Sequence, residues 1–277
     1  MQTVVIVGTG LIGASFGLAL KKIGFNGEIV GVSSAPAIEA ATSVGAITGS
    51  ATLESACERA DLIYLSQTVD RILITLPRLA NLAPASALIT DAGSTKQTIA
   101  AKAAECLSTR CFVGGHPLAG KELRGATAAD AGLFSGRPYV VTPIQGPPSP
   151  HIETFRHMLA GMGAKVIEMT PQEHDSAVAF TSHLPQLLST ALAATLDSEN
   201  NPDFAAVHGS GLLDMTRLAL SSPDLWSGIL HENKERVLAA LDRFSRNLAL
   251  ARKSVEEDEF QDLFSRGQRL AATIREE

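Results

Sequence analysis

Short apolar runs alternate with helix-spaced stretches over the first 170 residues, and that alternation sets the fold class. Thr3–Val7 (TVVIV), residues 28–33, 62–66 (LIYLS), 87–91 (ALITD), Cys111–Val113, 133–134 with 138–142 (PYVVT), and 165–169 (KVIEM) read as strands. Their continuous apolar character is that of strands covered on both faces. Helices are expected between them at residues 11–24, 38–44, 69–82 with a break at Pro77, 97–107 and 151–162. Strand, glycine turn and helix repeated in this way predict an α/β fold, a Rossmann-type doubly wound and mainly parallel sheet.

From residue 171 the strand signal stops. Thr170-Pro171-Gln172-Glu173 is a capping box with proline at the first helical position, so the boundary is placed there. The division expected is a dinucleotide-binding domain at 1–170 and an all-α domain at 171–277. In the second, residues 177–196 are Ala- and Leu-rich but interrupted by SHLP (182–185). Pro185 removes one N–H and crowds the carbonyl of Thr181, a kink that serves either a site or a packed core. Ser222-Pro223-Asp224 starts a helix carrying Leu225, Trp226, Ile229, Leu230, Val237, Leu238, Leu241 and Phe244 at helical spacing. Ser254-Val255-Glu256-Glu257 reads as a second capping box, opening a last amphipathic helix. These apolar faces exceed what a small helical domain can bury alone, so a homodimer through it is expected.

Composition narrows the partners. Apolar residues make up 45% and charged residues 19% of 277, an ordinary globular profile. A net charge of -6 argues against nucleic acid as a partner, since phosphate binding calls for a basic stripe. No apolar run reaches the roughly 18 residues of a membrane span. With the first strand starting within three residues of Met1, no signal peptide is expected. Cys57, Cys106 and Cys111 show no metal-ligand spacing, so a cytosolic protein without a metal is the expectation.

The first strand runs into Gly8, Gly10 and Gly13 of GTGLIG (8–13), then into a helix. Gly8 makes the tight turn, Gly10 lets backbone meet a pyrophosphate, and Gly13 permits close helix–strand packing. The N–H groups opening the helix, around Leu11 and Ile12, face the phosphates. Strand before, helix after and a returning strand give the motif its dinucleotide-binding context. About 20 residues on, where an NAD enzyme usually has a carboxylate for the ribose 2′-hydroxyl, stand Ser33 and Ser34. Two hydroxyls and no carboxylate favour NADP, with NAD tolerated; no arginine follows.

Other chemistry collects at the carboxyl ends of later strands. GGHPLAGKE (114–122) follows Cys111–Val113, and Pro117 holds His116 extended at that strand's mouth. An imidazole there can exchange protons near neutral pH, or be a satisfied turn residue. Ser94, after residues 87–91, either meets a ligand or caps the following helix. Asp91 reads equally as a solvated turn carboxylate. Arg217, in GLLDMTR (211–217), has apolar and small neighbours and should meet an anion, either Asp214 or a carboxylate ligand.

Together GTGLIGAS (8–15), DAGSTK (91–96), GGHPLAG (114–120), LF with PYVVTP (133–134, 138–143), His174-Asp175, SHLP (182–185) and GLLDMTR resemble the prephenate/arogenate dehydrogenases of tyrosine biosynthesis. The resemblance covers nearly the whole chain. It implies oxidative decarboxylation of a small-molecule substrate: hydride leaves C4 of a cyclohexadiene for NAD(P) while CO2 leaves C1. It further implies that His116 is the base for the C4 hydroxyl and that Ser94 lies near that hydroxyl. By the same resemblance Arg217 binds a substrate carboxylate and His183 lies near the substrate. Glu122 matches an acidic residue at the pocket of some members. Gln186 stands where some members carry a second histidine, and Thr68 where a proline is frequent. Neither a regulatory domain after the helical one nor mutase helices before the first strand are expected. The competing readings are a related 3-hydroxyacid dehydrogenase-like reductase, which would rely on a helical-domain lysine, and a non-catalytic NADP-sensing protein.

Overall fold

In the computed structural model, residues 1–121 and 123–276 are described. The first half alternates as expected: β1 (Thr3–Val7), α1 (Leu11–Lys22), β2 (Glu28–Val32), α2 (Ala35–Ser43), β3 (Gly49–Ser50), α3 (Leu53–Cys57), β4 (Leu62–Leu65), α4 (Val69–Leu82), β5 (Leu88–Asp91), α5 (Gln97–Cys106) and β6 (Cys111–Val113). These strands form one six-stranded sheet in the order β3-β2-β1-β4-β5-β6, every pairing parallel. The order reverses at β1, which pairs with β2 on one side and β4 on the other. A crevice at the carboxyl end of such a switch point is where open α/β sheets bind ligands.

The unbroken apolar runs follow from the pleat. Val4, Ile6, Leu62 and Tyr64 point into one core, with Phe16 and Leu20 of α1. Val5, Val7, Ile63 and Leu65 point into the other, with Ile72 and Leu76 of α4. This packing also explains why α4 runs unbroken through Pro77. A helix-interior proline costs about 3 kcal/mol. Burying the side chains of Val69, Ile72, Leu76 and Leu79 at roughly 1.5–3 kcal/mol each outweighs it.

Beyond β6 the chain leaves the main sheet. β7 (Gly115–Pro117), β8 (Pro138–Val141), α6 (Ile152–Gly161) and β9 (Lys165–Glu168) give a second, three-stranded sheet. In it β7 is antiparallel to β8, and β8 is parallel to β9. His116 therefore sits in a strand of its own, opposite Val140, rather than at the mouth of β6. Leu133 and Phe134 lie in a turn before β8 and contribute no strand.

The remainder is helical: α7 (Pro171–Val178), α8 (Leu184–Ser198), α9 (Ser210–Thr216), α10 (Pro223–Glu232), α11 (Lys234–Glu257) and α12 (Gln261–Glu276). α7 opens on the expected capping box of Thr170 and Glu173. Between α7 and α8, residues Ala179–His183 form a π turn, and Pro185 falls in the first turn of α8. A widened turn relieves the clash of proline with the carbonyl four residues back. The helix expected from Ser222 through Phe244 is instead divided at Asn233. Ser254 does not open the last helix either: α11 continues through it and stops at Asp258, whose φ is 56°. The S-x-x-E spacing also suits a helix interior, where Arg252–Glu256 (2.9 Å) and Lys253–Glu257 (3.5 Å) pair at i,i+4.

The two capping-box patterns thus make opposite predictions. Thr170→Ala should cost about 1 kcal/mol in urea unfolding. Ser254→Ala should change stability by less than about 0.5 kcal/mol. Equal costs would place a cap at Ser254.

Candidate active site

A cleft of about 450 Å³ opens at the switch point, between the glycine loop, the loop after β5, β7 and α10. Gly8 has φ +95°, and a Cβ there would stand 2.7 Å from the Ser66 carbonyl oxygen. A Cβ on Gly13 would stand 2.1 Å from the Gly8 oxygen, so α1 approaches β1 as closely as it does only because both are glycine. A Cβ on Gly10 would meet nothing within 4 Å, leaving the loop's backbone open toward the cleft that Gly10, Leu11 and Ile12 line. The first turn of α1 holds no acidic side chain and receives no side-chain cap. Its N–H groups and dipole suit a pyrophosphate, so the residues present fit a dinucleotide. Ser33 and Ser34 are exposed at the end of β2, and Ser34 precedes α2 without its hydroxyl capping that helix.

His116 lines the cleft and is otherwise buried. Its Nδ1 lies 2.8 Å from Nε2 of His174, whose Nδ1 lies 2.7 Å from Oδ1 of Asp175. The Asp175 carboxylate also accepts the backbone N–H of Lys96 (2.7 Å) and of Gln97 (2.9 Å). A carboxylate on α7 thus caps α5 across the interface between the two halves. Burial alone would raise the Asp175 pKa. The hydrogen bonds from His174 and from these two N–H groups overcome it and hold the carboxyl below its ordinary value. Burial lowers the His116 pKa well below 6.5, helped by His174, Lys96 and His183 nearby.

Asp91 is not a solvated turn residue. Fully buried, it pairs with Nζ of Lys96 and accepts the N–H of Gly93 (2.8 Å) and Gly115 (3.1 Å). The second bond fixes the start of β7. A Cβ on Gly115 would stand 2.5 Å from the Asp91 carbonyl, so the strand carrying His116 can lie this close only with glycine there.

The other expected site residues divide. Ser94 is half-buried in the cleft wall, and the cap on α5 comes from Asp175 rather than from Ser94. His183 is fully buried and does not line the cleft; its Nδ1 lies 3.3 Å from Nδ2 of Asn233, which donates to the Asp175 carbonyl at 2.7 Å. Burial pushes its pKa down to about 4. Its ring meets Trp226 edge-on at 5.8 Å. Arg217 is exposed on a 3-10 turn after α9 and does not line the cleft, whereas Lys121 and Arg124 do. Glu122 lies outside the described residues. Sequence reading gave His174, Asp175 and Asn233 no role. The signal present was a His-Asp pair one turn inside a well-capped helix.

Comparison with known proteins bears on the whole chain. Residues 16–168 match the family model for the nucleotide-binding domain of prephenate dehydrogenase, and residues 170–268 that for its dimerization domain. The prephenate dehydrogenase of Bacillus subtilis is 35% identical over 269 residues, 95% of this chain and 72% of that protein. The crystal structure of prephenate dehydrogenase from A. aeolicus in complex with hydroxyphenyl propionate and NAD+ is similar with a TM-score of 0.88 and 31% identity, covering 100% of this chain and 98% of that one. That of Synechocystis arogenate dehydrogenase gives a TM-score of 0.80 at 29% identity, with 99% of each chain covered.

Proposed function

The chain belongs to the prephenate dehydrogenase family, and we propose that its cleft oxidises prephenate, arogenate or both, with His116 as the base. It is a dehydrogenase of the NAD(P)-dependent, oxidatively decarboxylating kind that serves tyrosine biosynthesis. NAD(P)+, when bound, supplies the hydride acceptor. The observation that carries the reading is an imidazole kept neutral in the same cleft as the glycine loop. Because its pKa is depressed, His116 stays a base at neutral pH and is lost only as pH falls through that depressed value. Taking the proton of the C4 hydroxyl raises electron density at C4 as hydride departs. CO2 leaves C1, and the ring becomes aromatic. Ser94, which lines the same cleft, orients that hydroxyl in this reading.

Three finer assignments belong to this reading. Arg217 binds a carboxylate of the substrate. NADP is preferred over NAD, since no carboxylate stands at the end of β2 to repel a 2′-phosphate and the Ser34 hydroxyl is not spent on a cap. Two copies pair through the helical domain, whose Leu213, Met215, Leu220, Phe264, Leu270 and Ile274 are exposed.

His116→Asn should lower kcat by about 10²–10⁴-fold and leave nucleotide affinity unchanged; ordinary turnover would refute the base assignment. Arg217→Ala should raise the substrate KM about ten- to a hundredfold, equivalent to roughly 1.5–3 kcal/mol. If KM holds there and rises in Arg124→Ala, the anchor is Arg124. Ser33→Asp should shift the ratio of kcat/KM values toward NAD, and an unchanged ratio would remove the argument for NADP.

A further inference from the structure

Beside the base stands a buried pair that the reaction as described does not use. His174 is fully buried on α7, and its two ring nitrogens meet His116 and Asp175. Neither His174 nor Asp175 lines the cleft. Their geometry fixes where protons sit. An ionised carboxylate only accepts, so Nδ1 of His174 must carry a hydrogen. In a neutral imidazole the other nitrogen is then an acceptor. Facing it at 2.8 Å, Nδ1 of His116 must therefore donate. His116 is left with its lone pair on Nε2, the nitrogen available to the cleft. The opposite tautomer would set two buried lone pairs against each other.

We infer that His174 and Asp175 are positioning residues: they lock His116 in the tautomer that presents a bare Nε2 to the substrate, and they share the charge of the proton it takes. This rests on His116 being the base. As the substrate O–H breaks, an N–H forms at Nε2 of His116. Its Nδ1–H then passes to Nε2 of His174, so His116 is neutral again and the imidazolium lies against Asp175. No other reactant is needed.

The surrounding charges favour that transfer. Lys96, from the turn before α5 and paired with Asp91 of β5, disfavours a cation on His116. His183, behind Asn233, is uncharged at neutral pH. Around the cleft, Asp70 and Asp224 oppose Lys121 and Arg124. Among the described residues, Asp175 is thus the one carboxylate in hydrogen-bonded line with the base. It is also held on several sides: the N–H groups of Lys96 and Gln97, at the start of α5, donate to its oxygens, and Asn233 donates to its backbone carbonyl.

The test uses the full chain with Asp175→Asn, His174→Phe, His174→Gln and His116→Asn. An amide at 175 can donate to His174, which reverses both tautomers and leaves Nε2 of His116 protonated. The expected result is a fall in kcat of about 10²–10⁴-fold, with KM and nucleotide affinity within about threefold of the parent. His174→Phe keeps the bulk and removes the acceptor, so kcat should fall. His174→Gln restores an acceptor and should recover part of the loss, with α5 still capped in both. Adding Asp175→Asn to His116→Asn should cost nothing further. Equal losses in His174→Phe and His174→Gln, or additive losses in the double variant, would overturn the inference. If Asp175→Asn fails to fold, the two His174 variants decide alone. Full activity in Asp175→Asn beside an inactive His116→Asn sinks only this inference, whereas activity in His116→Asn sinks the base assignment itself.

Discussion

The Asp175 carboxylate is the point at which the two halves of the molecule become one site. It leaves α7, crosses to the start of α5, and satisfies backbone N–H groups that no described residue of the sheet domain satisfies. Buried donors left without a partner would each incur the desolvation cost of the group, so this contact holds a helix end and an interface together. The same oxygens order His174, and through it the base in β7. Fold and chemistry therefore share one interaction. Asn233, the residue that divides α10 from α11, secures it from the far side.

The cofactor side depends on close approach instead of charge. Gly8 and Gly13 let α1 begin directly against β1 and β4, and this puts its free N–H groups at the reversal of strand order. The base comes from a different sheet altogether. It is brought to the same crevice because Gly115 accepts the backbone of β5 at short range and Asp91 receives its N–H. Nucleotide loop and base thus rest on strands of different sheets, β1 and β7, and on separate supports. Changing one should leave the other standing.

Much of this was legible in the residues. The parallel sheet followed from apolar runs that fill both faces, and the start of α7 from a capping box whose two bonds both form. What was not legible has physical causes. β7 is three residues long, too short for a period to register, and exists through pairing with β8 more than twenty positions away. Asp91 looked solvated because its partner is a lysine whose burial depends on the tertiary fold. The Asp175 cap joins residues 79 apart, beyond any local pattern. Local rules also overreached: Pro77 did not break α4, and Ser254 opened nothing, because packing and i,i+4 pairs outvoted them.

The π turn at Ala179–His183 has a bearing on how this helical half can change over generations. A π turn is in effect one residue inserted into an α-helix, and each residue advances the helix by about 100°. Everything after it, including the faces that α8 offers to Asn233's neighbourhood and to the exposed apolar surface, is phased by that insertion. A single-codon deletion there would straighten α7 into α8 and rotate both faces together. The turn is thus a frame setting for the whole second domain, and substitutions along α8 are free to accumulate only while the count of residues before them stays fixed.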